Sequence, residues 1–152
     1  MTKFDRHNDL ILRLLSSEGR ISNTKLADKV GLSPSACLRR VQELEDLGVI
    51  RGYRAILDRD ALNRNFLAYV TVGLSNHGIK SHKEFEKVMQ DAVEVTECHN
   101  VAGAFEYLLR VEVKSTTDYK KFHAEVLGSL PQVNSITTYL VMNSSKDERG
   151  YC

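Results

Sequence analysis

The stretch from Asn23 to Leu47, NTKLADKVGLSPSACLRRVQELEDL, reads as two short helices joined by a tight turn. Leu26, Ala27 and Val30 form one apolar stripe at helical spacing, and Cys37, Leu38, Val41 and Leu44 form another, so the two stripes face each other. Gly31 stands where the first helix ends in a left-handed residue, a conformation glycine adopts without a Cβ clash. Ser33 offers an N-cap oxygen, and Pro34 fills the first helical position, where a missing N–H costs nothing. Ala27 is small enough for the close, steep crossing of a helix-turn-helix. The outward face of the second helix then presents Ser35, Ala36, Arg39, Arg40 and Glu43. Short side chains followed by two arginines make a face that a DNA major groove admits.

A plain helical hairpin in an enzyme or a scaffold shares the helix, glycine, helix order. The small alanine, the Ser-Pro start and the short residues ahead of the arginines favour DNA. Ser35, Ala36 and Arg39 are expected at base edges and Arg40 at phosphate, with Ser33, Lys25, Lys29, Arg51 and Arg54 close by as further DNA-binding candidates.

At 152 residues the whole chain is long enough for one ordinary domain or two small ones. A net charge of +1 argues against nonspecific coating of nucleic acid, which relies on a large positive excess, but a dimer reading two half-sites needs only a local basic patch. No apolar run is long enough to span a bilayer and the N-terminus MTKFDRHNDL is polar, so no membrane association and a cytoplasmic location are expected. Cys37, Cys98 and Cys152 are isolated, and the histidines at 7, 77, 82, 99 and 123 are scattered, so neither a disulfide framework nor a metal site is indicated. Cys98 and His99 are neighbours in a strand and point to opposite faces, so they cannot pair as nucleophile and base. With no paired carboxylates and no phosphate-binding glycine loop, the chain does not read as an enzyme.

Before the hairpin, Leu10, Ile11, Leu14 and Leu15 mark a helix from about Asp5 to Ser17, with Asp5 as cap; after it, Gly48 closes the helix and Val49 to Asp58 alternates as a strand, serving as a wing or a link. The boundaries expected are a helix-turn-helix domain over 1–53, a linker strand or hinge over 54–65, a second domain over 66–143 and a frayed polar tail over 144–152. In the second domain Phe66 to Leu74 reads as a buried strand, and Ser81 with Glu84 as a capping box opening a helix that carries Phe85, Val88, Met89 and Ala92. Val93 to Val101 and Phe105 to Val113 are strands about a turn at Gly103. Ser115 with Asp118 opens a helix carrying Tyr119, Phe122 and Val126 that Pro131 stops, and Val133 to Met142 is a final strand. This βαββαβ order makes an α+β chain, a (winged) helix-turn-helix followed by a ferredoxin-like sheet with helices on one face. The other face is expected to bury its apolar positions on a second subunit.

Three blocks resemble the Lrp/AsnC or feast/famine transcription regulators, and their leucine-responsive branch most: GRISNTKLADKVGLSPSACLRRVQELEDLGVIRGY (19–53), ECHNVAGAFEYLLRVEV (97–113) and LPQVNSITTYLVM (130–142). The resemblance implies a transcription regulator whose homodimers bind pseudo-palindromic double-stranded DNA, commonly assemble to octamers, and sense an amino acid at the contact between dimers. Carried onto this chain, the effector-binding residues are Gly103, Ala104, Phe105, Glu106, Tyr107 and Thr138. The chain departs from the family pattern at Ala104, often an acid, and at Ile136, often a threonine. A free amino acid needs an acceptor for its ammonium, which Glu106 supplies, and donors for its carboxylate, from backbone N–H groups near Gly103 or the Thr138 hydroxyl. The plainer alternative is that Gly103 only turns a hairpin and Glu106 is a solvated strand residue. Two other functions stay open: an architectural DNA-binding protein of the nucleoid type, and a small-molecule-binding module without DNA binding.

Overall fold

The computed structural model describes residues 5–147. The described residues fold as two compact units that divide between Ala55 and Ile56.

The first unit holds α1 (Arg6–Ser17), α2 (Asn23–Val30) and α3 (Pro34–Asp46). Each starts on a side-chain cap: Asp5 accepts from Asn8 N, Ser22 from Lys25 N and Ser33 from Ala36 N. Gly31 ends α2 at φ 70°, and Asn23 Nδ2 donates to Pro34 O at 2.8 Å, tying the start of α2 to the first turn of α3. Ile11, Leu26, Ala27, Val30, Cys37 and Leu44 form the core. Two expected stripe residues are not in it. Leu10 and Leu38 face outward, and Asn8 is buried instead. The alternating segment after Gly48 does not form a sheet strand, because Val49 and Ile50 give their N–H groups to Leu44 O at the helix end. Residues 51–56 have no regular structure, and Leu57 makes a lone bridge.

The second unit is a four-stranded antiparallel sheet, order β2-β3-β1-β4, built from β1 (Phe66–Leu74), β2 (Val95–Asn100), β3 (Tyr107–Val113) and β4 (Val133–Leu140). One face packs Ala68, Val70, Val72, Leu109 and Val111 against Phe85 and Met89 of α4 (Ile79–Asp91) and against Tyr119 of α5 (Thr116–Lys121). Two helix boundaries differ from expectation. The α4 helix begins ahead of Ser81, capped by the extended Gly78, whose N–H goes to Asn76 Oδ1 at 2.8 Å, and the buried Ser81 Oγ has no hydrogen-bond partner. Ser115 does cap α5, but the helix widens into a π-helical segment over Phe122–Leu127 and stops at Gly128, before Pro131 is reached. The wider turn brings Leu127 onto the buried face, fully buried, while Val126 is only partly covered.

The opposite face, expected to be apolar, is mixed. Strand alternation sets Leu67, Tyr69 and Thr71 beside Leu108, Arg110 and Glu112. Arg110, 3% exposed, lies at its centre with Glu112 at 2.5 Å, Asp147 at 2.9 Å and Glu97 at 3.9 Å. Asp147 also lies 3.7 Å from Arg59, so the tail is held down this far rather than frayed, and residues 148–152, Cys152 among them, lie outside the described residues.

Candidate DNA-reading helix and effector loop

Ser33 Oγ accepts the N–H of Ala36 at 3.3 Å and lies 3.3 Å from Ser35 Oγ, so a short hydroxyl-lined turn opens α3. Ser35 and Arg39 are exposed and Ala36 is half-buried, one turn before Arg40. Lys25 and Arg51 are also exposed. Arg40 is placed differently from the phosphate contact expected of it. Its Nη1 donates to Asp5 Oδ2 at 2.8 Å and to the buried Asn8 Oδ1 at 2.9 Å, so the guanidinium is turned back onto α1. The N–H of Asn8 and the Arg40 guanidinium together hold the Asp5 carboxyl below the usual carboxylate range.

In the second unit the turn between β2 and β3 closes with Val101 N donating to Glu106 O at 2.9 Å and Glu106 N donating to Val72 O at 3.1 Å. Gly103 and Ala104 are exposed, and a Cβ on Gly103 would meet nothing within 4 Å. Phe105 is half-buried. Glu106 is not a free solvated acid: Oε2 accepts the N–H of Leu74 at 2.7 Å and Oε1 faces His77 Nδ1 at 3.5 Å. Tyr107 lies wholly inside the core, with its hydroxyl donating to Glu86 at 2.8 Å and sitting 2.8 Å from His82 Nδ1. Burial first, with the Glu86 carboxylate adding to it, pushes that hydroxyl up to about 12.

Thr138 is not brought to the loop. It pairs across from Val70, and its hydroxyl is bonded to Tyr119 OH, whereas the strand position level with the loop end is Ile136, opposite Val72. Beside it, Gly73 pairs with Ser135, and a Cβ on Gly73 would collide with Ser135 Oγ and come within 3.6 Å of Glu106 Oε2. Gly73, Ser135 and His77 are therefore neighbours of Glu106 that the sequence alone did not single out. The glycine that follows the β-branched run Val70-Thr71-Val72 inside the strand was the available signal. A cleft of about 300 Å³ lies next to this point, lined by Leu127, Leu130, Val133, Asn134, Ser135 and Ile136. Among the described residues no group of three or more His, Cys, Asp or Glu side chains is placed to hold a metal ion, and no helix is long and apolar enough to cross a membrane.

Comparison with known proteins covers both units. Residues 5–51 match a winged helix-turn-helix DNA-binding family, and residues 67–151 match the Lrp/AsnC ligand binding domain. The chain is 41% identical over 142 residues to the leucine-responsive regulatory proteins of Escherichia coli K12 and Klebsiella pneumoniae, covering 93% of this chain and 87% of each relative. An AsnC family transcriptional regulator from Agrobacterium tumefaciens superposes with TM-score 0.89 at 32% identity, covering 94% of this chain and 93% of that one. A transcriptional regulator from Neisseria meningitidis, solved as a complex with L-Met, superposes with TM-score 0.90 at 29% identity, covering 94% and 92%. These relatives are regulators, not enzymes, and with both the DNA-binding and the ligand-binding halves matched, the chain belongs to the Lrp/AsnC family of DNA-binding transcription regulators.

Proposed function

We propose that α3 reads DNA through Ser35, Ala36 and Arg39, with Ser33, Lys25 and Arg51 on phosphates, and that an amino acid bound at the 103–106 loop controls assembly. The observation that carries the DNA reading is the start of α3, where two small side chains precede an exposed arginine. The chain acts as a cytoplasmic homodimer that assembles further, to an octamer, so its sites are pseudo-palindromes with half-sites about one helical turn apart, or a multiple of it. Sedimentation of the protein at micromolar concentration tests this, since a monomer would remove the two-fold argument.

The effector reading rests on Glu106, whose Oε1 side remains available beside His77 while Oε2 is held by Leu74 N. A thermal-shift screen against the free amino acids identifies the ligand, because a molecule that binds only the folded state raises the melting temperature. With that amino acid, Glu106→Gln is expected to lose roughly 1.5 to 3 kcal/mol of binding by calorimetry. Unchanged affinity would move the pocket elsewhere on the sheet. An effector shifts assembly only by its differential affinity for the two states, so a ligand that binds without changing the sedimentation profile does not regulate through assembly.

A further inference from the structure

We propose that Arg40 is a positioning residue for DNA reading, a clamp that fixes the angle of α3 against α1, and not a phosphate ligand. This rests on α3 being the reading helix. One nitrogen, Arg40 Nη1, donates to two acceptors on the first turn of α1, Asp5 Oδ2 at 2.8 Å and Asn8 Oδ1 at 2.9 Å. The same Asp5 carboxylate starts α1, because its Oδ1 accepts Asn8 N at 2.9 Å. Asp5, Asn8 and Arg40 thus form one closed set in which the start of α1 and the middle of α3 share their hydrogen bonds.

The rest of the unit's core is apolar, and apolar contact is non-directional. Packing of Ile11, Cys37 and Leu44 brings helices together without choosing between small rotations, whereas two hydrogen bonds donated by a planar guanidinium do choose. The clamp holds α3 one residue after Arg39, so a loosened α3 moves that side chain relative to a base edge. A partly exposed ion pair adds little stability, and its contribution here is geometric. A phosphate could take Arg40 only by leaving Asn8 Oδ1, on a residue 5% exposed, without this donor.

Two charge models give opposite signs at Asp5. If Arg40 is an electrostatic contact, Asp5→Asn removes a competing negative charge and tightens binding to every sequence. If Arg40 is a clamp, Asp5→Asn keeps the helix cap, since the amide oxygen still accepts Asn8 N, but weakens the hold on Arg40 and relaxes discrimination.

The test uses the full-length protein, a duplex enriched from a random pool and a random duplex, with binding measured by fluorescence anisotropy across a potassium chloride series. All measurements are made at a temperature where circular dichroism shows each variant folded. Arg40→Gln and Asp5→Asn are each expected to lower the enriched-to-random affinity ratio about tenfold, with the random-DNA affinity and the salt slope unchanged. Arg40→Lys, which keeps the charge but not the planar fork, is expected to lose part of that ratio, and it carries the test if Arg40→Gln does not fold. A salt slope that falls by about one per subunit in Arg40→Gln, together with tighter binding by Asp5→Asn, would overturn the clamp in favour of a phosphate contact. Folded variants with a wild-type ratio would overturn it in favour of a purely stabilising pair. A wild-type protein that shows no preference between the duplexes would instead overturn the DNA reading on which the clamp depends.

Discussion

Glu106 Oε2 accepts a 2.7 Å hydrogen bond from the backbone N–H of Leu74, at the place where the pairing of β1 with β4 shifts register between Gly73 and Leu74. The acid that ends the 101–106 turn therefore satisfies a backbone group freed by the irregularity in the neighbouring strand. Glu106→Ala leaves that N–H without its acceptor and should lower the unfolding free energy by about 1 to 3 kcal/mol. Glu106→Gln retains an oxygen acceptor and should stay within about 1 kcal/mol of wild type in urea unfolding. Equal losses in the two variants would show that the charge, not the acceptor, matters.

The π-helical segment makes a prediction that an ordinary α-helix would not. Leu127, fully buried, should cost about 2 to 5 kcal/mol on substitution by Ala, and the half-buried Val126 about 1 kcal/mol. Denaturant midpoints of Leu127→Ala and Val126→Ala compare the two registers, and the reverse order would return the segment to α geometry.

Arg110 is nearly inaccessible and is shared by the carboxylates of Glu112, Asp147 and Glu97. Arg110→Ala leaves these acids without their common cation and should destabilise the second unit by about 3 to 5 kcal/mol, read as a lowered thermal midpoint. A loss below about 1 kcal/mol would mean that water already compensates the cluster.

Stability should also fall at alkaline pH. Burial pushes the Cys98 thiol from 9.0 up to about 11 and the Tyr107 hydroxyl from 10.0 up to about 12, with the Glu86 carboxylate acting in the same direction on both. The folded state then keeps protons that the unfolded chain has already lost, so stability is fully present below about pH 9 and declines as pH rises from there to about 12. Cys98→Ser should flatten the lower part of this decline in pH-dependent urea unfolding. An unchanged slope would contradict the burial of the thiol.

Local capping chemistry was the most legible feature of the sequence. Asp5, Ser33 and Ser115 start their helices because a short acceptor precedes an apolar stripe, and Gly31 ends one because only it turns left-handed at low cost. Strand β1 was readable from its β-branched run, and strand alternation correctly separated Cys98, which packs into the core, from His99, which lies 3.0 Å from Glu97. What the sequence did not disclose was the partner each polar group finds, in some cases a few residues away and in others in a different element. Ser81 looks like a cap until Asn76 takes the Gly78 N–H and starts the helix earlier. The segment after Gly48 alternates like a strand, but its first N–H groups are captured by Leu44 O. Arg40 looked like a surface cation because its acceptors, Asp5 and Asn8, lie in a different helix. Thr138 fell in a block that resembles the family's effector site, yet its register places it beside Tyr119 and leaves Ile136 level with the loop. Periodicity reports which face a residue occupies, not which distant group meets it there.

The proposed reading of sequence by the start of α3 turns on Arg39. Arg39→Ala should lose about 1 to 3 kcal/mol on a duplex enriched from a random pool and much less on random DNA, relaxing preference at one base position in each half-site. The measurement is a pair of anisotropy titrations, wild type and Arg39→Ala, each on the enriched and the random duplex at one salt concentration. A larger loss on the enriched duplex is the predicted result. Equal losses on both would contradict base reading by α3 and leave Arg39 as one more phosphate contact.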